Sequence, residues 1–188
     1  MRKIISLFQR NYDTDRLVRD EIVPGSEWVT AGEGIATRKF DGTCCMIRDG
    51  KLYKRYDAKQ GKTPPPNFEP AQDYDEVTGH MPGWLPVTDA AEDKWHREAF
   101  NNVSPDGPLE DGTYELVGPK INGNNEHFPQ HILVPHGQWP LADAPRDYTS
   151  LREYLMDGFI EGIVWHHPDG RMVKIKAKDF GFRRVSAP

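Results

Sequence analysis

The chain has 188 residues, a formal net charge of −5 and hydrophobic residues at 37% of its positions. That length is typical of one domain with a substantial core, and no run approaches the roughly 18 consecutive apolar residues of a membrane span. The apolar block near the start is also too short for a signal peptide. These features predict a soluble cytoplasmic protein that has no membrane partner; they identify no protein partner.

The charge is unevenly distributed along the chain. Residues 38–62 carry eight basic side chains against three acidic ones, and residues 171–184 carry six against one. Residues 69–111 show the reverse, with eleven acidic side chains against two basic ones. Two basic segments can form one surface for a polyanion if the fold joins them, although such runs are often only solvated faces.

The first predicted element is a hairpin with strands over residues 43–48 and 51–56. Its loop, Asp49-Gly50, suits the positive dihedral angles of a type I′ turn. Cys44 and Cys45 are neighbours on the first strand and point to opposite faces, so no disulfide between them is expected. The proline-rich residues 61–86 are predicted to be irregular. Together with the acidic residues up to 111, they form an excursion (61–111) from one domain spanning 1–188.

Two helices and a strand are predicted further along the chain. Residues 89–101 have helical character with Asp89 as the N-cap, and a strand follows over residues 113–117. Ser150 and Glu153 have the spacing of a capping box, which predicts a helix that continues to about residue 157 and ends at Gly158.

A last hairpin is predicted from residues 159–166 and 171–176. A two-residue loop, Asp169-Gly170, gives three cross-strand pairs: Trp165 with Lys174, Ile163 with Lys176, and Glu161 with Lys178. This register places Glu161 and the three lysines on one face, with Val164, Val173 and Ile175 on the other. Such a face suits a polyphosphate and its metal ion, or is simply exposed to solvent. A loop of three or five residues would break this parity.

The string Lys39-Phe40-Asp41-Gly42 resembles the K-x-D-G nucleophile motif of the covalent nucleotidyltransferases. That superfamily contains ATP-dependent DNA ligases, RNA ligases and mRNA capping enzymes. Its later motifs are resembled in the same order by Arg55, Glu115 in "TYELVG", Glu161-Gly162 in "IEGIVW", and Lys174-Ile175-Lys176. The strings "MPGWLPV", "VGPKINGN", "HILVPHG" and "EGIVWHHPDG" look like the small vertebrate-type ATP-dependent RNA ligases. The similarity runs over residues 34–181.

The resemblance implies an α+β fold, in which antiparallel β-sheets with flanking helices form an ATP-grasp-like ligase catalytic domain around a nucleotide cleft. It also implies a three-step reaction that joins RNA 5′-phosphate and 3′-hydroxyl ends through a lysyl-AMP intermediate. Because the chain ends shortly after the K-x-K motif, no OB domain is expected. Two alternatives stay open: a capping-type nucleotidyltransferase that uses GTP or ATP, and a non-catalytic RNA- or nucleotide-binding relative.

The resemblance assigns a role to each matching residue. Lys39 is the catalytic nucleophile, and because the pKa of a free lysine is about 10.4, nearby cations, burial or a metal must favour its neutral form. ATP is the covalent AMP donor, with Mg²⁺ or Mn²⁺ as its metal. Lys174 and Lys176 are assigned to the phosphates, and Glu161 to the metal. Glu115 is assigned to the ribose or a second metal, and Arg55 to the ribose or the RNA 5′-phosphate. Asp41 and Gly42 shape the loop that presents Lys39, and Thr37 is assigned to the adenine.

Overall fold

The protein is described by a computed structural model that covers residues 1–76, 78–102 and 109–184. The chain divides into two compact units. The first consists of Met1–Lys3 and Gly42–His136, and the second of Ile4–Asp41 and Gly137–Pro188. That the two units work as a single domain over 1–188 stays a prediction.

Strands dominate the described residues. The strands are β1 (Ile5–Ser6), β2 (Phe8–Arg10), β3 (Val18–Ile22), β4 (Ile35–Lys39), β5 (Thr43–Arg48), β6 (Lys51–Lys59), β7 (Glu69–Pro70), β8 (His80–Pro86), β9 (Gly112–Val117), β10 (Ile132–Pro135), β11 (Gly162–His166) and β12 (Met172–Lys176). The α-helices are α1 (Glu27–Thr30), α2 (Lys94–Asn101) and α3 (Tyr148–Tyr154). Short 3₁₀ turns occur at Ala91–Asp93, Asn122–Asn124 and Ala177–Phe180.

The first unit is built on an antiparallel sheet in the order β10-β9-β5-β6-β8-β7. The predicted hairpin of β5 and β6 is confirmed, because Arg48 pairs with Lys51 and Met46 with Tyr53. The strand predicted over residues 113–117 is also confirmed as β9. Alternation along these strands buries one face of the sheet, whose core residues are Cys45, Ile47, Leu52, Ala99, Tyr114, Leu116 and Leu133. Cys44 and Cys45 are both in the thiol form.

The prediction that residues 61–86 are irregular is wrong for β8, which pairs with β6 over its whole length. Prolines fit this strand because both lie at positions of the same parity. The carbonyl of Pro82 accepts a hydrogen bond from Ala71 N, so the side of Pro82 that lacks an N–H faces away from β6. Pro86 has the same parity, whereas the odd-numbered Leu85 and Val87 face β6. The ladder between β8 and β6 therefore loses no donor.

The predicted cap of the 89–101 helix is also wrong. The helix α2 begins at Lys94 after the 3₁₀ turn, and the buried acid here is Asp93. Its carboxylate accepts hydrogen bonds from the backbone N–H and the hydroxyl of Thr88 and pairs with the Lys54 ammonium. Asp93, rather than Asp89, ties this segment to β6.

Much of the acidic segment 69–111 is used inside the first unit. Glu69 pairs with Arg48 at 2.8 Å, Asp75 pairs with Lys3 at 2.9 Å, and Asp111 accepts the backbone N–H of Asp49 at 2.7 Å. Asp106, which contributes to the acidic count, lies outside the described residues. The excess of negative charge thus has a structural use within this unit.

The second unit contains a four-stranded sheet in the order β1-β12-β11-β4 and the small β2-β3 pair. Only β1 and β12 run parallel among these paired strands. The core packs against one side of the larger sheet and includes Leu7, Phe8, Val29, Ala36, Leu151, Leu155, Ile163, Trp165, Val173 and Ile175. The opposite side carries Lys39, Lys174 and Lys176.

The helix predicted from Ser150 begins earlier than expected. Asp147 is the N-cap of α3, and its side chain accepts the backbone N–H of Ser150 at 3.0 Å. The helix ends at Tyr154, and Gly158 follows with a φ of +70°. The sequence pattern therefore located the helix but assigned the cap to the donor of the capping hydrogen bond instead of its acceptor.

The predicted register of the last hairpin is wrong by one residue. The structure pairs Val164 with Lys174 and Gly162 with Lys176. His167 N donates to Arg171 O, so the loop has three residues, Pro168, Asp169 and Gly170. A slip of one residue exchanges the two faces of a strand. Val164 consequently shares a face with Lys174, and Lys178 lies exposed in the final 3₁₀ turn.

The architecture is α+β with mostly antiparallel sheets, as predicted. Across the described ranges, no helix is both long and apolar enough to cross a membrane.

Candidate active site

Nine residues on three adjacent strands form what we call the lysine face, the side of the larger sheet in the second unit that is opposite the core. The register defines three rows across β4, β11 and β12: Lys39, Gly162 and Lys176; Thr37, Val164 and Lys174; Ile35, His166 and Met172. The predicted residues Lys39, Lys174, Lys176 and Thr37 thus meet on one surface. Ile163 and Trp165 alternate with these residues along β11 and point into the core. The lysine face must therefore point to the other side of the sheet.

Glu161 joins two of the lysines. Its Oε2 lies 2.5 Å from Lys39 Nζ and its Oε1 lies 2.9 Å from Lys176 Nζ. Glu161 comes immediately before β11 and is only 9% exposed. A buried carboxylate that accepts from two ammonium groups is electrostatically satisfied, and it holds both lysines at fixed positions. The predicted hairpin placed Glu161 on one face with Lys174, Lys176 and Lys178. Of these three lysines Glu161 contacts Lys176, although the predicted register is wrong.

Gly162 keeps the centre of the first row open. A Cβ atom added there would lie 2.1 Å from Ile175 O and 2.8 Å from Lys176 Cα. Only glycine allows this close approach of β11 and β12 without a shift of the backbone. The two flanking lysines therefore have no side chain between them on β11.

Lys174 lies in a different electrostatic environment. Its ammonium makes no ion pair or hydrogen bond with any residue that the structure describes. Burial, followed by the charges of Lys176 and Lys39, lowers the pKa of Lys174 from 10.5 to about 8. On β1 the neighbouring Ser6 pairs with Lys174, and the buried Ser6 hydroxyl oxygen has no hydrogen-bond partner. A cation and a hydroxyl donor, both without acceptors, suit an anion such as phosphate.

Asp179, in the turn after β12, holds the backbone of Lys176. This acid is 2% exposed, and its Oδ2 accepts the backbone N–H of Lys176 at 3.0 Å. Its Oδ1 accepts from the Arg10 guanidinium at 2.5 Å. Sequence reasoning did not select Asp179, although its position three residues after the K-x-K string is the spacing of a local side-chain bond to the backbone.

Thr37 and His166 form a short hydrogen-bonded chain on the same face. The Thr37 hydroxyl donates to Val164 O at 3.2 Å, and His166 Nε2 lies 3.1 Å from Thr37 Oγ1. Thr37 is 2% exposed. Which of the two atoms donates in the contact between His166 and Thr37 depends on the tautomer of the imidazole. His166 was not selected from the sequence as a site residue.

The remaining predicted residues are placed as follows. Asp41 comes two residues after β4 in the second unit and is partly buried. Gly42, Glu115 and Arg55 belong to the first unit. A Cβ atom at Gly42 would lie 2.2 Å from Leu116 O and 2.7 Å from Glu115 Cγ, so Gly42 packs directly on β9 beside Glu115. The side-chain amide of Asn122 donates to Gly42 O at 2.9 Å.

Glu115 and Arg55 lie on strands that flank β5. Glu115 pairs with Cys44, and the next residue of β5, Cys45, pairs with Lys54 beside Arg55. Two strand spacings place their backbones about 10 Å apart. Glu115 Oε2 lies 2.9 Å from His136 Nε2, a contact that the sequence did not indicate because the histidine follows β10.

No group of three or more His, Cys, Asp and Glu side chains in the described ranges is arranged to hold a metal ion. Mg²⁺ commonly uses one or two carboxylates and completes its shell with phosphate and water oxygens. Glu161, a single buried carboxylate among cationic side chains, fits that pattern. Glu161 contacts two ammonium groups in this structure. A divalent cation carries the same total charge as these two groups and could take their place.

Comparison with known proteins adds an independent finding. A family model described as RNA ligase 1 matches residues 101–187. Proteins named RNA ligase 1 from Pongo abelii and Mus musculus are each 28% identical over 218 aligned positions, which cover 78% of this chain and 67% of the relative. The RNA ligase 1 of Danio rerio is 27% identical over 219 positions, covering 79% of this chain and 67% of the relative. The chain therefore resembles the RNA ligase family over most of its length.

Proposed function

We propose that the protein is an ATP-dependent RNA ligase that works through a lysyl-AMP intermediate. The observation that carries the proposal is the lysine face, where Lys39 and Lys176 share the Glu161 carboxylate and the partly buried Lys174 lies in the next row. Three amines and one carboxylate on one face of a sheet can bind an anionic ligand and supply an amine that attacks it as a nucleophile. The similarity to proteins named RNA ligase 1 supports RNA as the substrate.

In the first step, the neutral amine of Lys39 attacks the α-phosphorus of ATP. The bond from phosphorus to the bridging oxygen breaks, and pyrophosphate leaves with the electron pair. The product is a phosphoramidate between Lys39 and AMP. Lys174 and Lys176 stabilise the charge that develops on the phosphate oxygens, and Gly162 leaves the space between them and Lys39 open.

The next two steps use the same surface. The 5′-phosphate of an RNA attacks the phosphorus of lysyl-AMP, which releases Lys39 and gives an A-p-p-RNA end. The 3′-hydroxyl of a second RNA end then attacks the 5′-phosphate, forms the phosphodiester and releases AMP. Arg55 and Glu115 are assigned to the ribose and phosphate contacts by their place in the motif order, with Asp41 and Gly42 shaping the loop after Lys39.

Mg²⁺ or Mn²⁺ is part of the proposal as the metal of ATP, with Glu161 as its carboxylate and Glu115 as the second candidate. When bound, such a cation would withdraw charge from the triphosphate and improve pyrophosphate as a leaving group. Through its two ion pairs, Glu161 also holds the Lys39 and Lys176 ammonium groups in place.

The test is to incubate the purified protein with α-labelled ATP or GTP and Mg²⁺, denature it and map the labelled residue by mass spectrometry. We expect an AMP adduct on Lys39, none in Lys39→Ala, and an unchanged adduct in the matched control Lys178→Ala, because Lys178 is exposed outside the lysine face. Labelling by GTP in preference to ATP would favour a capping-type enzyme. No adduct in protein shown by mass to be unmodified at the start would favour a binding protein.

A further inference from the structure

The short strand β1 extends the lysine face beyond β12. Ser6 of β1 pairs with Lys174, and Leu7 N donates a hydrogen bond to Lys174 O at 2.8 Å. Side chains of paired residues on neighbouring strands lie on the same face of a sheet. The row that begins with Thr37 and Val164 therefore continues through Lys174 to Ser6, which lies on the edge strand of this sheet.

Two hydrogen-bond donors at this end of the row lack an acceptor. The Ser6 hydroxyl oxygen is buried and has no hydrogen-bond partner. Lys174 makes no ion pair with any residue that the structure describes, and burial, followed by the charges of Lys176 and Lys39, lowers the pKa of Lys174. A buried hydroxyl without a partner and a cation without a counter-charge each destabilise the protein in its free form. One anion that accepts a hydrogen bond from both groups removes both costs.

The distance of this pair from Lys39 indicates which anion it suits. Lys39 lies on β4, and three strand spacings, or about 14 Å, separate β4 from β1. The Lys39 amine attacks the α-phosphorus from its own side, and a leaving group departs roughly in line on the opposite side. Ser6 and Lys174 lie on the side of the face away from β4. Their position suits the β- and γ-phosphates of ATP, which leave as pyrophosphate.

We propose that Ser6 and Lys174 form a subsite for the pyrophosphate part of ATP, in which the hydroxyl and the ammonium each donate a hydrogen bond to a β- or γ-phosphate oxygen. This inference rests on the proposed function, because that function supplies ATP as the donor. Ser6 precedes the K-x-D-G string and belongs to none of the motifs that resemble the nucleotidyltransferases.

The subsite acts on the departing group in the first step. The bond from Lys39 Nζ to the α-phosphorus forms, and the bond from that phosphorus to the bridging oxygen breaks. Its electron pair leaves with pyrophosphate, and the Lys39 nitrogen releases a proton to water. The negative charge that pyrophosphate gains in this step is stabilised by the Ser6 hydroxyl and the Lys174 ammonium.

The experiment is a calorimetric titration of the protein, shown by mass to be unmodified at Lys39, with inorganic pyrophosphate and separately with AMP. We expect Ser6→Ala to weaken pyrophosphate binding about tenfold, as for one lost hydrogen bond to a charged group. Binding of AMP is expected to stay within twofold of wild type, because AMP carries only the α-phosphate. Ser6→Thr keeps the hydroxyl and should keep the wild-type affinity for pyrophosphate. Thr149→Ala, which removes an exposed hydroxyl from α3, is the matched control.

A purely structural role for Ser6 predicts a different result in the absence of ligand. We expect free Ser6→Ala to unfold at or above the thermal midpoint of the wild type, because the variant removes a buried hydroxyl that has no partner. Added pyrophosphate should then raise the midpoint of the wild type more than that of Ser6→Ala. A lower midpoint for the free variant would show that Ser6 stabilises the fold, and it would overturn the inference.

Two further outcomes would also overturn it. One is a pyrophosphate affinity of Ser6→Ala within twofold of wild type. The other is an equal loss of affinity for AMP, which would assign Ser6 to the α-phosphate. Absence of a Lys39 adduct from ATP in the wild type would instead contradict the proposed function, while Ser6-dependent binding of pyrophosphate would persist. The two failures are therefore distinguishable.

Discussion

Lys174 carries a charge that the surrounding protein does not balance, and its protonation should therefore affect folding. Its pKa is lowered from 10.5 to about 8, mainly by burial. Below pH 8 the folded protein holds a charge that is more stable in the unfolded chain, so the full cost is present there. Between pH 8 and 10.5 the unfolded chain binds more protons than the folded one. The cost of Lys174 to folding therefore falls, and the free energy of unfolding rises, as the pH increases through this range.

We therefore expect Lys174→Met to raise the free energy of unfolding at pH 7 by about 2 kcal/mol, because it removes a partly buried cation and keeps the aliphatic stem. The difference from wild type should shrink as the pH rises from 8 to 10.5. Urea unfolding at several pH values measures both effects. Lys178→Met is the control, since its side chain is exposed, and a pH-independent gain for Lys174→Met would contradict the assigned cause.

Glu161 differs from Lys174, because the charge of its carboxylate is balanced by ion pairs with two lysines. The variant Glu161→Gln keeps the shape of the side chain but leaves the Lys39 and Lys176 ammonium groups without their counter-charge. We expect the rate of Lys39 labelling to fall about 100-fold. The loss should be most pronounced at limiting Mg²⁺. Labelling rates across a Mg²⁺ titration provide the measurement, with the exposed Glu153→Gln as control. Unchanged rates at limiting Mg²⁺ would remove Glu161 from the site.

At the scale of elements, the contact between β11 and β12 depends on Gly162. A methyl group there meets the backbone of Ile175 and Lys176, which cannot rotate away as a side chain can. We expect Gly162→Ala to destabilise the protein by about 2 kcal/mol and to reduce Lys39 labelling. Thermal unfolding and labelling measure the two effects. Gly112→Ala on β9 is the matched control, because its added methyl meets only Tyr114 at an ordinary 3.8 Å. Equal stability of the two variants would show that the strands can separate locally.

The start of α3 offers a second test of an element. Asp147→Ala removes the acceptor of the capping hydrogen bond, whereas Ser150→Ala leaves the donated backbone N–H in place. We expect the first variant to lower the thermal midpoint and the second to change it much less. Circular dichroism melts compare the two proteins. The reverse order would show that Ser150 is the cap, as the sequence pattern suggested.

The two hairpins show how far local sequence could predict this fold. Asp49 and Gly50 both have positive φ, at +51° and +66°, as a type I′ turn requires, and the first register was predicted correctly. In the last hairpin only Gly170 has positive φ, at +90°. Pro168 suits the second position of a type I turn, which leads to a three-residue loop. The proline was the available signal that the loop has an odd number of residues.

The site was predictable to the extent that its residues lie in contiguous strings. Lys39, Glu161, Lys174 and Lys176 were found through the motif order, and the sheet brings them together. His166 and Asp179 were missed because their roles follow from pairing between distant strands and from a turn after β12. The contact of His136 with Glu115 likewise depends on the pairing of β9 with β10. Such contacts exist only once the register is known.

At the scale of the whole molecule, a chain of net charge −5 must bind a polyanion through local basic surfaces. The two segments 38–62 and 171–184 are the candidates, and that they form one surface stays a prediction. We expect the affinity for 5′-phosphorylated RNA to fall steeply with salt, with a logarithmic slope of about −0.7 for each phosphate neutralised. Fluorescence anisotropy over a range of NaCl concentrations measures the slope. A salt-independent affinity would exclude these segments as the RNA-binding surface.

The prolines of β8 have a consequence for the solubility of the protein. Pro86 turns the side that lacks an N–H away from β6, toward the outer boundary of the sheet, beyond Trp84 and Gly83, which pair with β7. At Pro82 this side is already covered, because the Pro82 carbonyl accepts from Ala71 N. A strand from another molecule that approached this boundary would find one of its acceptors unmatched at Pro86. The terminal strand β7 is two residues long and ends in Pro70. This edge therefore resists the strand-by-strand addition through which sheets grow into aggregates.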